Sequence, residues 1–142
     1  MAAHVLFVCS GNICRSPLAE YVARRAWADI DVIVSSAGTS AIPGQRATQT
    51  MITTGAELGV DLTPHRARSI DRVDQPDLVL CMEEHHVSKA RDAFPGLANT
   101  HIVLLDPAGV DDPYNEPITT YRSTAAQIAA AIDAFDPSKL PI

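Results

Sequence analysis

The stretch HVLFVCSGNICRSPLAE, residues 4–20, runs from an apolar segment through a short polar loop into a helix start. HVLFV (4–8) is β-branched and apolar, with the length of a buried strand. After it, Ser16 can act as N-cap, Pro17 can take the first helical position and Glu20 completes a capping-box pattern. A helix is therefore expected over residues 17–29.

The same alternation continues along the chain. DVIVSS (31–36), PDLVLCM (76–82) and HIVLL (101–105) read as three further strands. Helices are expected at 46–58 and 83–93, the second ended by Pro95-Gly96, although Thr53, Thr54 and Gly55 weaken the first. Tyr121, Ala125, Ile128, Ala129 and Ile132 recur at helical spacing, which predicts a helix over 118–134 with one apolar stripe. Strands alternating with helices favour a parallel sheet covered on both faces. The expectation is one α/β domain spanning 1–142, a four-stranded parallel sheet of Rossmann-like, doubly wound type.

In such sheets ligands sit at the carboxyl ends of the strands, and the loop after the first strand is one of these exits. The amides of Ser10, Gly11, Asn12, Ile13, Cys14, Arg15 and Ser16 can converge there on an oxyanion at the positive end of a helix dipole. Gly11 eases the curvature, and Asn12 tolerates a left-handed conformation. At the base lies Cys9, whose thiolate the amides, the dipole and Arg15 would all favour. Arg15 offers a planar fork to two oxygens of a phosphoryl group. Ser16 can donate to the sulfur and ease its departure from phosphorus. The bland alternative is that a Cys-x5-Arg pair arises by chance and that Cys9 is a small buried hydrophobe.

Transfer from an oxygen ester also needs an acid for the leaving group. In VDDPYNEP (110–117) Pro113 biases Asp112 towards an extended backbone and so aims its carboxyl. Acidic Asp-Pro turns are also commonly just solvated loops, and Asp111 is the neighbour to test.

Composition narrows the field. The 142 residues carry a formal net charge of −6, which argues against a sequence-independent nucleic-acid binder. No apolar run reaches the length of a membrane span, so no membrane partner is expected and the cytoplasm is the expected compartment. Cys9, Cys14 and Cys81 do not form a secreted disulfide pattern, and Cys81 reads as strand core. His85 and His86 are adjacent, with no other ligand at convincing spacing; they are read as an exposed helix start, and no metal or cofactor is expected.

The residues resemble the low-molecular-weight protein-tyrosine phosphatases. VCSGNICRSP (8–17) carries the family signature, and SSAGTS (35–40), PHRAR (64–68), DLVLCM (77–82) and DDPYN (111–115) follow in the family's order. The resemblance implies a metal-free, two-step hydrolysis of phosphotyrosine through a phosphocysteine. By matched position it implies Cys9 as nucleophile, Arg15 as phosphate clamp, Ser16 as thiolate partner and Asp112 as the acid that later activates water. It likewise implies that Asn12, Ser36 and His65 support the loop. Cys14 matches a second loop cysteine that can form a reversible disulfide with Cys9; simple packing is the other reading. Tyr114 and Ile42 match substrate-contacting positions, where the segment 38–48 departs by placing an aliphatic residue at a position often aromatic. Tyr114 could instead be a turn residue, and Ile42 a core plug.

The implied partner is a tyrosine-phosphorylated protein, with a tyrosine kinase as a candidate, and a monomer is expected. Three rivals remain. An arsenate reductase of the internal-relay type would need a third thiol near 82–92, leaving only a version that uses an external thiol. A protein-arginine phosphatase is associated with a small threonine where Ile13 stands. A binding pseudoenzyme would be expected to lack Cys9, Arg15 or Asp112.

Overall fold

The computed structural model describes residues 2–141. Four strands, β1 (Ala3–Cys9), β2 (Val32–Gly38), β3 (Leu78–Cys81) and β4 (Ile102–Leu104), form one all-parallel sheet in the order β2-β1-β3-β4. The crossovers carry α1 (Arg15–Ala26), α2 (Gln49–Glu57) and α3 (Glu84–Ala93), and α4 (Ile118–Ala134) follows β4. The α/β, doubly wound expectation is met, and α4 has the bounds its apolar spacing predicted.

Strand alternation divides the core. Val5, Phe7 and Cys9 face α1, α2 and α4, while Leu6 and Val8 face α3 and the turn at Ile70–Arg72. Helices therefore cover both faces. On the larger side Leu18, Met51 and Ile128 have no solvent exposure, each stabilising the fold by about 1.5–3 kcal/mol through burial. Phe7 stacks against Trp27 at 6.1 Å between ring centroids within that core.

Both ends of α1 differ from the sequence expectation. It starts two residues early, at Arg15, with Cys14 at the N-cap and no side-chain cap. Ser16 does not cap it, because its hydroxyl is turned into the loop below. Glu20 completes no capping box; it is buried, accepts from Ser36 and pairs with Arg24. Trp27 closes the helix, with Arg24 and Arg25 in the last turn complementing the dipole.

Strand β2 lies at one edge of the sheet. Its carbonyls at Val34 and Ser36 accept from the side chains of Arg24 and Arg68 rather than from another strand. No described helix is long and apolar enough to cross a membrane.

Candidate active site

The loop after β1 is fixed by contacts with its neighbours. Thr39 and Ser40 donate their amides to the carbonyls of Cys9 and Ser10. A side chain on Gly38 would collide with the Ser10 carbonyl, so only glycine permits this approach. The left-handed residue of the loop is Asn12, with φ 56°, and Gly11 does not supply that turn.

Asn12 is the hub beneath the loop. Its Nδ2 donates to Ser16 Oγ at 2.8 Å and to Ser36 Oγ at 2.9 Å, while its Oδ1 accepts from the Arg68 amide at 3.0 Å. His65 Nε2 lies 2.7 Å from the Asn12 carbonyl, and burial pushes this imidazole below its ordinary value. With the neutral ring donating there, the carbonyl and both side-chain polar atoms of Asn12 are used. Ser36 in turn donates to Glu20 at 2.6 Å.

Above this network, Cys9 lies 2% exposed with its Sγ 2.9 Å from Ser16 Oγ. Arg15, at the first position of α1, is 1% exposed although it carries a full charge. Its Nη1 donates to the Val110 carbonyl at 2.8 Å and lies 3.3 Å from Glu83 Oε2. Nη2 lies 3.6 Å from Asp112 Oδ2, and Nε is a buried donor without a partner among the described residues. Such a donor is costly unless an acceptor arrives. A docked oxyanion is the acceptor this geometry suits.

Asp112 is half-exposed, and its Oδ1 accepts from the Tyr114 amide at 3.1 Å, which holds the carboxyl towards Arg15. Asp111 is exposed and does not line the cavity. The cavity itself, about 250 Å³, is lined by Cys9, Gly11, Ile13, Cys14 and Arg15 below, with Ser40, Ile42, Gln45, Asp112 and Tyr114 around the mouth. Ile42 is 67% exposed and Tyr114 50%, so Ile42 is not a core plug.

Four groups escaped the sequence reading: Glu83, His86, Glu20 and Arg68. Glu83 begins the exit from β3, the strand beside β1, where the carboxyl-end rule could have found it. Burial pushes its carboxyl up, but the hydrogen bond from His85 and the Arg15 charge outweigh this, leaving it below its ordinary value. His86 corrects an expectation outright, because it is wholly buried and only His85 is exposed. The Glu83 amide donates to His86 Nδ1 at 3.0 Å, which leaves Nε2–H to donate to Ser10 Oγ at 2.9 Å. Burial, then the neighbouring His85 and Arg15, pushes His86 down to about 4. Glu83, His85 and His86 do bring ligand-type atoms within 4.8 Å of one another, but both His86 nitrogens are already committed.

All three cysteines are unpaired. Cys14 Sγ lies 3.5 Å from Thr48 Oγ1 and 3.7 Å from the Tyr121 hydroxyl, and burial pushes its thiol up.

A family profile described as low molecular weight phosphotyrosine protein phosphatase matches residues 4–139. The chain belongs to that family. The probable low molecular weight protein-tyrosine-phosphatase EpsP of Ralstonia solanacearum is 31% identical, with 96% of each chain covered. A structure of Vibrio vulnificus Wzb in complex with benzylphosphonate superposes with a TM-score of 0.83 at 27% identity, covering 94% of this chain and 97% of that one. The YwlE arginine phosphatase from Geobacillus stearothermophilus superposes with a TM-score of 0.80 at 26% identity, covering 92% and 88%. The fold is thus shared with these solved structures, while the names of the relatives differ between tyrosine and arginine phosphatase.

Proposed function

We propose that the protein hydrolyses phosphotyrosine in a protein substrate through a phosphocysteine intermediate. The observation that carries this reading is one small cavity holding the Cys9 sulfur at its base, the buried Arg15 guanidinium beside it and the Asp112 carboxyl at its rim.

In the first step the Cys9 thiolate attacks phosphorus. The S–P bond forms, the P–O bond to the tyrosine ring breaks, and Asp112 gives its proton to the departing phenolate oxygen. Arg15 neutralises charge on the equatorial oxygens, for which its unpartnered Nε is suited. In the second step the Asp112 carboxylate takes a proton from water as that water attacks phosphorus. The S–P bond breaks, inorganic phosphate leaves, and the Ser16 hydroxyl supports the returning thiolate. Ser10, Gly11, Asn12, Ile13, Cys14 and Arg15 supply the phosphate loop, with Asn12, Ser36 and His65 holding its shape.

Tyr114 gives an aromatic wall and Ile42 an aliphatic one for the tyrosine ring. The branched Ile13 in the cavity wall narrows the space that a phosphoguanidinium would need, which separates this reading from arginine phosphatase activity. The monomer acting in the cytoplasm opposite a tyrosine kinase is the setting that fits this chemistry.

The test is turnover of peptides carrying phosphotyrosine, phosphoserine or phosphoarginine, without metal and with arsenate reduction in parallel. Phosphotyrosine should be preferred by at least tenfold. Cys9→Ser should abolish turnover while keeping oxyanion binding; preserved turnover in that variant, or a preference for phosphoarginine, would overturn the reading.

A further inference from the structure

Behind the phosphate loop, along the free edge of β2, lies a second concavity of about 400 Å³, walled by Arg24, Arg66 and Arg68 beside His4, His65 and Tyr21. Its one carboxylate, Glu20, is buried and already engaged by Ser36 and Arg24. Arg66 and Arg68 have no carboxylate partner among the described residues. Three guanidinium groups thus share one concavity on a chain of net charge −6.

Capping the sheet edge explains only part of this. Arg24 reaches the Val34 carbonyl through Nε and Nη2, and Arg68 reaches the Ser36 carbonyl through Nε alone. Both terminal nitrogens of Arg68 remain without a partner among the described residues, and Arg66 caps no strand. Its Nη1 is tied instead to the Thr63 and His65 carbonyls of its own loop. The three side chains are therefore anchored while keeping donors to spare, the preorganisation that lowers the entropic cost of binding.

Spacing along the strand suits an anion. Val34 and Ser36 are two residues apart on one strand, so the two carbonyls that anchor Arg24 and Arg68 sit roughly 6.6 Å apart along it. One tetrahedral oxyanion bridges such a gap when each guanidinium donates to a different oxygen at about 2.8 Å. The field at the two histidines is mixed: His4 is pushed down by burial and then by Arg68 against Asp77 and Asp74, and His65 by burial, with the bond to Asn12 and the Glu20 charge opposing and Arg24 and Arg66 adding to the lowering.

We propose that this concavity is a second oxyanion site, separate from the catalytic loop, that takes a phosphate-like dianion between Arg24, Arg66 and Arg68. It does not depend on the reaction proposed above. It does share a wall with the loop, because the Arg68 amide and His65 are the groups that hold Asn12.

The experiment is a residue-resolved amide NMR titration of the full chain, one arm with inorganic phosphate and one with phenylphosphonate. Saturable shifts are expected at residues 33–36 and 66–68, with a midpoint different from that of residues 11–14. Arg66→Glu should weaken the first set at least tenfold and leave the second unchanged, and Arg24→Gln should act in the same direction. Saturation by both probes identifies free phosphate as sufficient; saturation by phenylphosphonate alone identifies a phosphoryl group carried on a larger molecule. Identical midpoints for the two sets in wild type and both variants would show that residues 33–36 only echo the catalytic loop. That result, or no saturation with either probe, overturns the proposal.

Discussion

Cys9 and Cys81 end neighbouring strands, and both are sealed from bulk solvent at 2% and 0% exposure. Burial alone therefore does not tell the two thiols apart. Cys81 pairs in register with Val8 and packs among Leu6, Val79 and Ile102, where burial pushes its thiol up to about 12. One residue beyond Val8, on the other face of the sheet, Cys9 meets the Ser16 hydroxyl and opens onto the Arg15 cavity. The period of a strand thus decides which thiol faces a helix start and which faces hydrocarbon.

The sharpest way to break this comparison is to replace both sulfurs. Cys9→Ser should remove turnover, whereas Cys81→Ser should keep kcat within about twofold and lower stability by about 1–3 kcal/mol by burying a hydroxyl among apolar groups. Steady-state assay and urea unfolding of the two variants separate these outcomes; loss of turnover in folded Cys81→Ser would contradict the contrast. Next in size, Asp112→Ala should cost roughly 10²–10⁴-fold in kcat on aryl esters with poor leaving groups and far less on those with good ones. Asp111→Ala should leave that leaving-group dependence as it is, since Asp111 does not line the cavity.

The polar network that sets Cys9 apart can be tested without touching the cavity. Ser36→Ala removes the link between Asn12 and Glu20, leaving a buried acceptor less satisfied. It should destabilise by about 1–3 kcal/mol and lower kcat more than it raises KM, because the loop is displaced rather than its ligand contacts deleted. An unchanged kcat would show that the loop holds its shape without this support.

The remaining prediction concerns pH. Above its ordinary value of 6.5, His86 is neutral both folded and unfolded, so its contribution to stability is whole. As pH falls from about 6.5 towards about 4, the unfolded imidazole takes a proton that the folded one refuses, and stability falls. Thermal midpoints measured across that window should drop less steeply for His86→Asn than for the parent chain.

The legible part of the sequence was local. A strand, a glycine-containing turn and Ser-Pro opening a helix sit within a few residues of one another, so the first βα unit and the loop containing Cys9 and Arg15 could be read directly. Helix α4 was equally clear from its apolar period. What could not be read depends on residues distant in the chain. Ser16 and Glu20 look like caps, but tertiary partners at Cys9, Ser36 and Arg24 claim their side chains instead. His86 looked exposed because nothing nearby reveals that Ser10, 76 residues away, lies across it.

Arg24 and Arg68 also bear on how this molecule behaves in company. An unpaired outer strand invites a neighbour to add its own backbone, the first step towards stacked aggregates. Here two long, charged side chains already occupy the acceptors such an intruder would need. Crowding alone then gives a second copy little purchase along that seam, which the same arginines shape and guard.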